Sequence, residues 1–124
     1  MTGRFRQAKI EQILQDLVHR GGFSKAVVAA SDGLLVAMIG TQDAMLIAAV
    51  SAAIKDLIQR AHPNVSEVVT RNGSGKVIVS RYFSIGEDWL LLAIELPHNT
   101  PYRRLTTWAI KEIKHVWATP IASN

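Results

Sequence analysis

The 124-residue sequence predicts an α+β fold in the order helix, strand, strand, helix, three strands, helix. Three observations predict it. Apolar residues recur at helical spacing in three separated stretches. Two glycine-bearing turns, Ser31-Asp32-Gly33 and Asn72-Gly73-Ser74-Gly75, each join short apolar runs, the mark of hairpins. Prolines stand where a helix has to stop or can begin, at Pro63 and Pro101.

Residues 1–8 read as a loose arm. Ile10, Ile13, Leu14, Leu17 and Val18 then form one apolar helical stripe, stopped by Gly21-Gly22. The runs Ala26–Ala30 and Leu34–Ile39 make the first hairpin. Gly40-Thr41-Gln42-Asp43 opens a long helix, with Thr41 or Asp43 able to cap its free amides, that runs to His62-Pro63. Leu46, Val50, Ala53, Ile54, Leu57, Ile58 and Ala61 read as the core stripe of this helix. Met45, Ala48 and Ala52 lie on the opposite side, followed there by Lys55 and Gln59. From Ala44 to Ile54 the only polar side chain is Ser51, and a helix apolar all round is buried all round. Val65–Arg71 and Lys76–Tyr82 form a second hairpin. Trp89–Leu96 is nearly continuous apolar sequence, as in a central strand covered on both faces. Thr100 caps a last helix that starts at Pro101 and has Leu105, Trp108, Ala109, Ile113, Val116 and Trp117 along one stripe. Residues 119–124 read as a second loose tail on a single domain.

Composition narrows the function more than it names it. The chain has no cysteine, so thiolate nucleophiles, disulfides and cysteine-bound zinc are excluded. No apolar run reaches the roughly 18 residues of a membrane span, and Met1-Thr-Gly-Arg-Phe-Arg opens no secretory signal, so a cytoplasmic protein is expected. The net charge of +4 is uneven. Arg4, Arg6 and Lys9 lie at one end, and Arg103, Arg104, Lys111 and Lys114 face only Glu112 at the other. Residues 10–96 carry seven basic and nine acidic side chains.

No constellation for chemistry emerges. Gly73-Ser-Gly-Lys76 lacks the earlier glycine of a phosphate loop, because Thr70 stands there, and a strand rather than a helix follows. His19, His62, His98 and His115 are scattered over element ends with no ligand spacing. No catalytic residue, cofactor or metal is expected, and the chain reads as a non-enzyme. Basic termini without an aromatic base-stacking motif make nucleic acid a disfavoured partner.

Two features remain. The middle helix is apolar on a second side, and the third strand, without proline, has one free neighbour. A homodimer answers both, with Met45, Ala48, Ser51, Ala52 and Lys55 on the helix and Glu67, Val68, Val69 and Thr70 on the strand forming the interface.

The chain also resembles the Roadblock/dynein light chain family over roughly residues 7–118. The resemblance rests on Gly22-Phe-Ser-Lys-Ala-Val-Val-Ala-Ala-Ser-Asp-Gly-Leu-Leu-Val-Ala37, the alanine-rich middle helix, the Asn72–Val79 hairpin and the element order. It implies a five-stranded antiparallel sheet in the order 2-1-5-4-3, one long helix on one face and two on the other, and dimers made through the third strand and middle helix. It further implies a regulatory scaffold for a Ras-like small GTPase, similar to bacterial gliding-motility regulators that stimulate hydrolysis without a catalytic residue of their own. The alternative is a light-chain-like adaptor for a protein or membrane-associated complex, indifferent to nucleotide. Lys55 and Gln59 would rim the partner surface. Arg71 and Arg81 are the arginines placed to act as fingers, although strand-pairing or surface roles suit them better.

Overall fold

The computed structural model describes residues 2–40 and 43–118. Its elements are α1 (Thr2–Gly21), β1 (Lys25–Ala30), β2 (Leu35–Ile39), α2 (Ala44–Gln59), β3 (Glu67–Arg71), β4 (Lys76–Ile85), β5 (Asp88–Pro97) and α3 (Arg103–Ala118). The strands form one antiparallel sheet in the order β2-β1-β5-β4-β3, as the resemblance implies. β5 lies at its centre, and Leu90 to Leu96 are buried without interruption.

Alternation along the strands sends side chains to two separate layers. Val28, Val79, Leu92 and Ile94 pack beneath α1 and α3, against Ile10, Leu14, Leu17 and Ile113. Val27, Ala29, Leu91 and Ala93 face the other way, beneath α2. The hairpin signals hold locally. Gly33 adopts φ +87°, and the Asp32 carboxylate accepts the Leu34 amide at 3.0 Å.

Several boundaries differ from expectation: α2 ends at Gln59 rather than at His62-Pro63, β3 begins at Glu67 rather than Val65, and β4 runs on to Ile85. Residues 2–8 belong to α1 rather than to a loose arm. Arg6 ties this turn to the far end of the chain, donating to the Trp117 carbonyl at 3.0 Å with its guanidinium 4.9 Å from that indole. A contact between residues 111 apart leaves no local signal. The expected tail at 119–124 lies outside the described residues. Asp43 occupies the position before α2 but makes no side-chain cap, because its carboxylate pairs with Lys25 at 3.1 Å; Thr41 lies outside the described residues. α3 begins at Arg103 instead of Pro101, its first turn closed by the Thr106 amide on the Tyr102 carbonyl.

The larger correction concerns which way α2 faces. Its buried residues are Ala44, Ile47, Ala48, Ser51, Ala52 and Lys55. The expected core residues Leu46, Val50 and Leu57 are instead 64%, 46% and 65% exposed. Ala53 and Ala61 are exposed as well, and only Ile54 and Ile58 are half-buried. Small side chains win the inner face because the helix lies close to the sheet. A Cβ on Gly33 would come within 3.3 Å of the Ala49 Cα. Inward polar groups are matched as well: the Ser51 and Ser80 hydroxyls meet at 2.9 Å, and the Tyr82 hydroxyl donates to the Ser51 carbonyl at 2.7 Å.

Glu95 joins three strands on the α2 side. It accepts the Ser24 hydroxyl at 2.8 Å and faces Lys25 and Lys76, each at 3.5 Å. Burial pushes its carboxyl up, but the Ser24 bond and the two ammonium groups together outweigh that and hold it below the ordinary value of 4.5.

Two outcomes follow from this packing. Ala48→Arg forces an unpaired cation between helix and sheet and lowers stability by about 3 kcal/mol or more, seen as an earlier urea midpoint. A folded-state pKa below the unfolded one stabilises fully above about 4.5 and is lost as pH falls through the folded value. Glu95→Gln should therefore flatten the fall in unfolding free energy measured between pH 6 and pH 3 (on the order of the carboxylate range).

Candidate interaction surface

The phase of α2 sets the surface. With the inner face taken by small residues, Leu46, Val50, Ala53 and Leu57 stand in an outward row at spacings of four, three and four, with Met45 beside them, 75% exposed. Ala49 and Ala52 meet Gly33 on the β2 side, so the opposite flank, with Ile54 and Ile58, turns toward β4 and β3. α2 packs chiefly on β1, β5 and β2. On the same face of the remaining strands, Val68 and Ile78 are only half-buried and Thr70 is exposed. An apolar ridge thus stands beside an incompletely covered shelf. Contiguous exposed apolar surface of this kind is a candidate interaction site.

β3 borders the shelf and, among the described residues, pairs in the sheet with β4 alone, as its expected free neighbour requires. The other edge strand, β2, is blunted by a bulge opposite Val28 and Ala29, whereas β3 pairs in unbroken register from Glu67↔Arg81 to Arg71↔Val77. Of the expected strand residues, Val69 and Thr70 are exposed and Val68 faces the α2 layer. Glu67 is engaged within its own chain: it accepts the Tyr102 hydroxyl at 2.9 Å and meets Arg103 at 3.4 Å and Arg81 at 3.7 Å.

The helix residues expected at the interface separate. Met45 is on the surface, but Ala48, Ser51, Ala52 and Lys55 face their own sheet. Lys55, expected at a partner rim, is 8% exposed. Its ammonium donates to Gln59 Oε1 at 2.7 Å and sits 5.0 Å from the Trp89 ring and 5.5 Å from the Tyr82 ring. These two rings meet edge to face at 5.7 Å. Burial pushes the Tyr82 hydroxyl up to about 12, which keeps it a neutral donor. A cleft of about 390 Å³ opens here, between the end of α2 and the β4–β5 turn. Gln59, which accepts the Lys55 ammonium, is exposed.

Neither arginine is a free finger. Arg81 Nη1 donates to Thr106 Oγ1 and Thr107 Oγ1, both at 2.8 Å, while Arg71 Nη1 reaches His98 Nδ1 at 3.2 Å. Among the described residues no group of three His, Asp or Glu side chains is placed to hold a metal ion. Periodicity missed Leu46, Val50 and Leu57 as surface; the signal for them was the run of small residues at 44, 48, 51 and 52, the spacing of a close helix–sheet contact.

No family model matches the sequence, and no curated protein does. Solved structures do match. MglB of Myxococcus xanthus superposes with a TM-score of 0.61 at 15% identity, over 89% of this chain and 85% of that one. The gliding protein MglB of Thermus thermophilus gives 0.74 at 12% identity, over 90% of each chain. An MglB with a tetrameric arrangement gives 0.67 at 14% identity, over 90% and 89%. The chain has the Roadblock-like fold of the MglB proteins. At these identities the fold is what is shared.

The inward placement of Lys55 has a measurable consequence. Lys55→Ala removes the cation from both rings and leaves a void, and should lower stability by about 1–3 kcal/mol in urea unfolding. Self-association measured by sedimentation should be unchanged, since the side chain is turned away from the outer ridge.

Proposed function

We propose that the protein is a non-enzymatic homodimer that binds a Ras-like small GTPase and modulates its nucleotide state. The observation that carries this reading is the exposed apolar ridge of α2 beside the free edge of β3, in a Roadblock-like fold. β3 pairs with its twin, and the flank of each α2 turns toward the partner's half of a continuous sheet. The outward row Leu46, Ala53 and Leu57 then lies on the composite surface open to the GTPase. With Arg81 held by threonines, hydrolysis is accelerated by favouring a competent switch conformation rather than by supplying a residue to the transition state.

The expected interface differs from one built on Ala48 and Ala52, and mutation separates them. Val50→Glu or Val69→Pro, both at exposed positions, should yield a folded monomer in sedimentation equilibrium where the parent chain is a dimer. A purified Ras-like GTPase from the same genome should form a complex with the dimer in its GTP state and turn over GTP faster. A complex in neither nucleotide state overturns the GTPase reading. Equal affinity in the GDP and GTP states, with no change in turnover, replaces it with the adaptor reading.

A further inference from the structure

The side of the sheet opposite α2 has a different character. α1 and α3 pack side by side there and carry eight basic and three acidic side chains, an excess of five in a chain whose net charge is +4. The remaining residues hold six basic and seven acidic groups, so the positive charge of the protein belongs to this one layer.

Its arrangement is directional. Arg104, Lys111 and Lys114 are exposed along the outward side of α3, and Lys9 and Arg20 are exposed on α1. Two of the three acids, Asp16 and Glu112, are exposed within the same layer. Asp16 and Glu112 line the groove of about 290 Å³ between the two helices, together with Lys9 and His115. Glu11 is half-buried and accepts the Gln7 amide at 3.3 Å. At the start of α1, Phe5 is 55% exposed with the Lys9 ammonium 5.5 Å from its ring, an apolar group beside a cation.

We propose that this α1–α3 face docks on the surface of an anionic lipid bilayer. The charge pattern suits a flat field of phosphate headgroups, because the cations spread over two adjacent helices instead of following a single groove. Clusters of four to eight Lys and Arg are enough for such attachment, and an exposed aromatic adds insertion at the headgroup boundary. Nucleic acid fits less well. Single strands stack their bases on open aromatic faces, and here Arg20 lies 4.6 Å from the Trp108 ring and Arg6 lies 4.9 Å from the Trp117 ring. Among the described residues no helix is long and apolar enough to cross a membrane, so the contact is peripheral. The proposal rests on charge placement within one chain and is independent of the GTPase reading.

Vesicle flotation with the full chain tests it. Phosphatidylcholine vesicles containing about one-third phosphatidylserine should carry the protein, and pure phosphatidylcholine vesicles should not. Lys111→Glu with Lys114→Glu should weaken binding by roughly 25-fold or more, from about fivefold per charge removed. Arg60→Glu, an exposed reversal just beyond α2, should leave binding unchanged. If the double reversal does not fold, raising salt to about 1 M, where the screening length falls to about 3 Å, must release the parent chain. Binding that ignores lipid charge, or survives both the reversal and the salt, overturns the proposal. So does retention of duplex DNA or single-stranded RNA at about 0.15 M salt by a protein that leaves the vesicles unbound.

Discussion

The close approach of α2 to the sheet is the constraint on which the rest of that side depends. Ala44, Ala48, Ser51 and Ala52 fit against β1 and β5 because they are small, and Gly33 lets the first hairpin reach the helix without a side chain between them. Of the bulkier apolar residues of α2, Ile47 is buried and Ile54 and Ile58 are half-buried, while Met45, Leu46, Val50 and Leu57 are left outward. A fully buried Leu, Val or Met contributes about 1.5–3 kcal/mol relative to the same residue in water. Leu46 and Leu57 withhold most of that from a lone chain, and Val50 nearly half. The drive to cover this side of the molecule is therefore built into the core packing and is not an addition to it.

The same constraint explains what the sequence concealed. The hairpins, the central strand and the stripe of α1 are encoded by neighbours in the chain, and they were legible. The free edge of β3 was legible too, because element order and the absence of proline define it. The phase of α2 was not. A helix apolar on every side has two self-consistent faces, and the usual preference for placing large residues inside selects the wrong one when the neighbour is a sheet at close range. Ala48, Ser51, Ala52 and Lys55, expected at an interface, all face their own sheet for that one reason. Lys55 misled for a related one: its charge suggests solvent, yet two aromatic rings and Gln59 hold it beneath the surface. The start of α1 and the engagement of Asp43 depend on Trp117 and Lys25, partners whose proximity only the tertiary structure creates.

β3 would be a poor edge strand if its side chains were free to choose a register. Glu67 removes that freedom. Its carboxylate joins Arg81 on β4 to Tyr102 and Arg103 at the start of α3, so strand, neighbour and helix are fixed to one another on the α1–α3 side. Exposed ion pairs individually contribute little. Their value here is positional, since a shift of one residue would carry Glu67 to the opposite face and Val68 out of the α2 layer. The edge is thus presented in a single register, with its polar work done on one face and its other face left for contact.

Sheet geometry then relates the two surfaces. Antiparallel pairing of β3 with its own copy would put the twofold axis across the sheet, perpendicular to its plane, so that each face of one protomer would continue into the same face of the other. Both α2 ridges would then fall on one side and both basic α1–α3 layers on the other. A partner on the ridges and an anionic surface beneath the basic helices would not compete for space, because a sheet one strand-layer thick and packed on both faces separates them. Doubling the basic layer also doubles the number of cations that one planar surface can engage at once, and linked contacts strengthen attachment without any new chemistry. Dimerisation of this fold would therefore act on both faces together: it completes the apolar platform and makes the opposite side bivalent.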